Sequence, residues 1–186
     1  MTGLYVATRI LTFFGTYLRT FWEHVTCRIA KIPAEDVRAF KSSEMCGHVE
    51  HALTENLKQS FLICWLPFTL NFIIGCSLLM TGAYRLFFIG QTDALQPYIL
   101  TILGFSCLAN CAPSFEDALM LKDLLYGGRS KVLKVILSPF FAVAYSMSFI
   151  ERYSITIVFA GAFTVLFPCI FNSLFPAFEY VSEMLR

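Results

Sequence analysis

Residues 19–27 read RTFWEHVTC, with Glu23 and His24 side by side among apolar neighbours and Cys27 one helical turn later. Carboxylate, imidazole and thiol are the donors from which catalytic metal centres are built, with metal-bound water as nucleophile. On a helix, His24 and Cys27 share a face at i and i+3, and Glu23 and Cys27 at i and i+4. Glu23 and His24 themselves point about 100° apart. One of them is then a candidate ligand and the other a candidate base or outer partner. A plainer explanation stands beside this one. Arg19 and Glu23 at i and i+4 make an ion pair, Trp22 anchors an interface, and His24 sits among headgroups.

Two further stretches carry donors. APSFEDA, residues 112–118, brings Asp117 as a candidate carboxylate ligand. The same residues also read as a helix start, with Pro113 ending the preceding helix, Ser114 as N-cap and Asp117 at the third position. GHVEH, residues 47–51, brings His48 and His51 as weaker candidates. If helical, the two histidines share a face; if extended, His48 and Glu50 do. No phosphate-binding glycine loop, dinucleotide fingerprint or G-x-S-x-G is present, and YGGRS (126–130) reads as a helix stop and turn.

The elements that must position these residues are those of a membrane protein. Of 186 residues, 57% are hydrophobic and 15% charged, too few polar side chains to cover a soluble globule. The net charge of +1, without a basic run interleaved with aromatics, gives no argument for nucleic acid, and no nucleic-acid partner is expected. Seven cysteines with no C-x-x-C pair argue against a disulfide scaffold. Arg9 interrupts the first apolar run and no small-residue cleavage site follows, so the N-terminal segment reads as retained.

Four uncharged stretches, 61–84, 94–114, 132–150 (its start extended past Lys134) and 153–178, match the roughly 20 apolar residues a span requires. Segment 1–22, with Arg9 and Arg19, either spans or lies in the interface. The fold expected is an all-α, polytopic membrane helix bundle with four to five transmembrane helices, one domain over 1–186, and a loop at 23–60. Within that loop, IPAEDVRAF opens after Pro33 as a short strand or a helix. Asn71, deep in an apolar stretch, is expected to bond another helix. Basic residues concentrate in the loops 28–58 and 122–134, including Lys41 and Arg129, which places both loops in the cytoplasm. Alternation then makes Glu151–Arg152 an external turn and puts Arg186 inside, in the plasma membrane.

The order of these parts resembles the small prokaryotic membrane metalloproteases of the site-two protease group. Cys27–Arg28, GHVEH, SFLICWLPFTLN (60–71) and APSFEDA carry the resemblance, over residues 15–125. It implies zinc as cofactor, hydrolase chemistry on membrane-embedded peptide segments, and Asp117 as third ligand. The family's H-E-x-x-H would fall on Arg19, Thr20, Phe21, Trp22 and Glu23, where neither ligand histidine nor the activating glutamate is present. The expectation is therefore an atypical or non-proteolytic relative, a pseudoenzyme. A rearranged site would use His24, Asp117 and His48 or His51, with Glu23 as base. The alternative is a non-catalytic adaptor or assembly protein that binds a partner helix. Besides the bilayer, the partner is a membrane protein or peptide segment.

Overall fold

The computed structural model describes residues 2–38, 46–127 and 131–184. They form helices α1 (Thr2–Leu11), α2 (Phe13–Ala30), α3 (Leu57–Thr81), α4 (Leu95–Ala109), α5 (Phe115–Tyr126), α6 (Lys131–Arg152) and α7 (Thr156–Met184). A two-stranded antiparallel hairpin, β1 (Ala34–Arg38) and β2 (His48–His51), separates α2 from α3. Apart from this hairpin the described residues are all-α. Lys41, Arg129, Arg186 and most of the YGGRS turn lie outside the described residues.

α3 is the mast of the bundle. A π-helical turn, Arg85–Ile89, prolongs it to Ile89, giving about 50 Å of helix at 1.5 Å per residue. Pro67 lies inside it and is buried. Two apolar cores form at its ends. Near its start, Leu57 and Cys64 pack with Leu121 and Leu125 of α5 and with Leu137 and Phe141 of α6. Towards its end, Leu79 and Ala83 pack with Leu108 and Ala109 of α4 and Ala160 of α7.

α2 lies along the first half of α3: Gln59 donates to the Ala30 carbonyl, and Asn71 to the Gly15 carbonyl at 3.4 Å. α4 approaches it so closely that a Cβ on Gly15 would lie 2.0 Å from the Ser106 carbonyl oxygen. Lys31 ends α2 in the left-handed region (φ 57°), and Pro33 prevents the helix from resuming, so the chain turns into β1. Register pairs Arg38 with His48, Val37 with Val49, and Ala34 with His51.

The spans differ from expectation. Among the described residues three helices, Leu57–Ile89, Lys131–Arg152 and Thr156–Leu174, are long and apolar enough to cross a membrane. The expected 94–114 helix stops at Ala109, because Asn110 turns its side chain back on Ser106 and Thr12 and Pro113 follows. Segment 1–22 divides at Thr12 into α1 and α2, and α2 runs on into the expected loop as far as Ala30.

α6 and α7 are not an antiparallel hairpin. α6 runs along α5, with Lys134 donating to the Tyr126 carbonyl and the Tyr145 ring beside Phe115. α7 continues in the same sense along the second half of α3, until the Tyr84 hydroxyl meets the Asn172 side-chain oxygen at 3.3 Å. The Glu151–Arg152 turn therefore lies partway along the bundle. Alternation of spans expected α6 and α7 to fold back on each other; Glu151 instead finds its cations inside the bundle, on α1 and α2.

Candidate functional site

The polar centre gathers Arg9 of α1, Arg19 and Glu23 of α2, His48 of β2, Asn110 after α4 and Glu151 of α6, none more than 5% exposed. Arg19 Nε donates to Glu23 Oε1 and Arg19 Nη1 to Glu151 Oε1, each at 2.8 Å. Arg9 reaches Glu151, the Asn110 side-chain oxygen and the Tyr5 hydroxyl. His48 stands between the carboxylates, Nδ1 3.0 Å from Glu23 Oε1 and Nε2 3.1 Å from Glu151 Oε1. The Val49 amide donates to Glu23 Oε2 at 2.8 Å. Both oxygens of Glu23 are thus engaged by N–H donors or facing a ring nitrogen.

Gly47 lets the hairpin reach this centre. Its φ of +87° suits glycine, and an added Cβ would lie 3.0 Å from Thr16 and 3.4 Å from Arg9. From the other side Asn110 ties α4 to α1 and α2. Its side-chain nitrogen donates to Thr12 Oγ1 at 2.7 Å, and its oxygen accepts from Thr16 at 2.9 Å.

Charges in the centre balance before His48 is counted: Arg9 and Arg19 against Glu23 and Glu151. Burial, with Arg19 adding to it, pushes His48 below its ordinary value. For Glu23, burial works upward, but His48 and Arg19 outweigh it through charge and hydrogen bonds and hold the carboxyl down at about 2. Glu23 is thus held as the carboxylate counter-ion of Arg19.

A second, smaller site lies on the opposite face of β2. His51 Nε2 meets Asp117 Oδ1 at 2.9 Å, and Nδ1 meets the Ala52 carbonyl at 3.1 Å. Both neighbours are acceptors, so the ring donates twice as an imidazolium. The bond to Asp117 raises His51 to about 9, against an opposing effect of burial. Asp117 sits where Ser114 caps α5, its amide bonded to Ser114 Oγ at 3.0 Å, as the capping pattern indicates. Burial first, then the charges of Glu23 and Asp117, push the Cys27 thiol up to about 12.

The candidate residues thus separate. Glu23 and His48 meet in the centre; His51 and Asp117 meet each other. His24 joins neither, and its Nδ1 is buried without a partner among the described residues. Both oxygens of Glu23 have partners, His48 faces two carboxylates, and both ring nitrogens of His51 face acceptors. Among the described residues no three His, Cys, Asp or Glu side chains converge to hold a metal ion. Arg9, Asn110 and Glu151 were absent from the sequence-based set. Arg9 signals itself as a charge in an apolar helix, but nothing in the sequence names Glu151 as its partner.

Compared with known protein families, characterised proteins and solved structures, the chain has no match.

Proposed function

We propose that this chain is a multi-pass membrane protein of non-hydrolytic character, in which a closed ion-pair lock occupies the position of a site-two-protease-like catalytic centre, and that it acts by binding a membrane-embedded segment. The observation that carries this reading is the engagement of both Glu23 oxygens. Arg19 donates to Oε1, which His48 also faces, and the Val49 amide donates to Oε2, so the carboxylate is committed to structural partners. Membrane residence of α1 and α2 is supported by their two faces. Arg9, Arg19 and Glu23 are turned inward, while Leu4, Leu11, Phe13, Tyr17 and Phe21 are exposed on the outside.

The test is elemental mass spectrometry on tag-free protein in mild detergent, with a peptidase assay on membrane-segment peptides. The expected result is no stoichiometric metal and no cleavage. Near-stoichiometric zinc that is lost in His24→Ala and Asp117→Ala, together with cleavage lost in Glu23→Gln, would overturn the reading.

A further inference from the structure

We infer that Arg9, Arg19 and His48 form a carboxylate-binding site which Glu151 closes in the resting protein, and that a ligand carboxylate takes the place of Glu151. The inference rests on the reading that the centre binds rather than hydrolyses.

Two guanidinium donors and one imidazole nitrogen, from three elements, converge on a single atom. Arg9 of α1, Arg19 Nη1 of α2 at 2.8 Å and His48 Nε2 of β2 at 3.1 Å all address Glu151 Oε1. Convergent arginines are how proteins grip a carboxylate, since charge-assisted bonds from guanidinium are strong and directional. Glu151 is the guest of this site, and α1, α2 and β2 are the host. The host is held together without it: Arg19 binds Glu23, Glu23 binds His48 and Val49, and Arg9 binds Asn110 and Tyr5.

Charge makes the guest obligatory. Without Glu151, Arg9 and Arg19 face only Glu23, leaving one buried positive charge that an anion must neutralise. The host also has spare donor capacity. Arg9 Nε is buried and has no partner among the described residues, so a ligand carboxylate free to orient its second oxygen towards it would satisfy a group that Glu151 leaves bare.

Glu151 is also delivered in a way that permits exchange. It lies in the last turn of α6, and the following Ser154 adopts φ 59°, ending the helix sharply. The body of α6 is secured elsewhere, by Phe141 and Leu137 against α5 and by Lys134 on Tyr126. Withdrawal of one carboxylate at its end leaves those contacts in place. The ligand group is a carboxylate, on a small free acid or at the C-terminus of an apolar peptide.

Full-length Glu151→Ala in detergent is the test, read by thermal unfolding. Sodium acetate is expected to raise its Tm saturably, beyond the effect of sodium chloride at equal ionic strength, and to lose this effect in Glu151→Ala/Arg19→Met. An acetylated apolar peptide with a free C-terminal carboxylate, compared with its amide, separates the peptide source from the free acid. If the carboxylate peptide acts at far lower concentration than acetate, the ligand is a peptide end. A folded Glu151→Ala protein that responds to acetate and both peptides as it does to chloride overturns the inference. Should Glu151→Ala fail to fold, wild-type protein carrying nitrogen-15 arginine decides. A saturable shift of the Arg9 Nε–H signal with the carboxylate peptide supports the site, and an unmoved signal overturns it. Metal content and peptide cleavage test the non-hydrolytic reading separately, so either can fail alone.

Discussion

His48 and His51 are three residues apart in one strand, yet the structure gives them opposite chemistry. His51 faces one carboxylate and one carbonyl, with Asp117 raising its proton affinity. His48 faces two carboxylates, but complete burial lowers its proton affinity and the charge of Arg19 adds to that. What separates the two is burial first, and then the cations beside His48. Strand geometry creates the difference. Side chains three apart in a strand point to opposite faces, whereas on a helix they would share one. A helical GHVEH would have offered two histidines to one metal; the hairpin sends one to the ion-pair centre and the other to the start of α5.

The largest effect expected from breaking this contrast is at Arg19. Arg19→Met leaves Glu23 and Glu151 short of a cation, and loss of one partner from a buried ion pair costs about 3–5 kcal/mol. Thermal or denaturant unfolding in detergent should report that loss. Asp117→Asn, in the less buried site, should cost clearly less. If the two variants are equally destabilised, the contrast between the sites fails.

A smaller loss is expected from Gly47→Ala. The left-handed backbone and the 3.0 Å approach to Thr16 oppose a Cβ, with a cost of about 1–2 kcal/mol for the backbone alone. Because Gly47 delivers His48, the hairpin amides of Val49 and its neighbours should lose hydrogen-exchange protection before those of α3.

Ser114→Ala removes the cap on the Asp117 amide and should cost about 1 kcal/mol. It should loosen the His51 site and leave the ion-pair centre intact. Exchange protection at the Asp117 and Ala118 amides is the check.

Acidity sharpens the contrast with the smallest expected effect. The His51 value of about 9 lies above the ordinary 6.5, so its contribution to stability is fully present below 6.5 and is lost as pH rises through 9. Asp117→Asn should abolish that alkaline slope. His48 acts in the reverse direction: its lowered value means that stability falls as pH drops below 6.5. Glu23, at about 2 against an ordinary 4.5, contributes above 4.5 and loses that contribution as pH falls through 2. Unfolding midpoints across pH should therefore decline on both sides of neutrality.

Much of the fold was legible in the sequence for local reasons. Apolar runs long enough for helices, Pro33 and Pro113 as stops, and Ser114 with Asp117 as a cap are all short-range signals. Asn71 announced a contact with another helix, and it donates to the Asn110 carbonyl at 3.1 Å. The Arg19–Glu23 pair was visible in its spacing, although its complete burial was not. Glu151 lay beyond reach because its arginine partners are 132 and 142 positions away. The direction of α7 was hidden for a related reason. Two apolar helices joined by a short turn look the same in sequence whether they fold back or run on, and tertiary packing decides.

The central claim is most directly tested by histidine-selective nitrogen-15 NMR of the full-length protein across pH and with added zinc. The account predicts that His51 remains an imidazolium until about pH 9, that His48 titrates below 6.5, and that zinc moves neither. Coincident titration of the two near 6.5, or a joint shift on adding zinc, would contradict it.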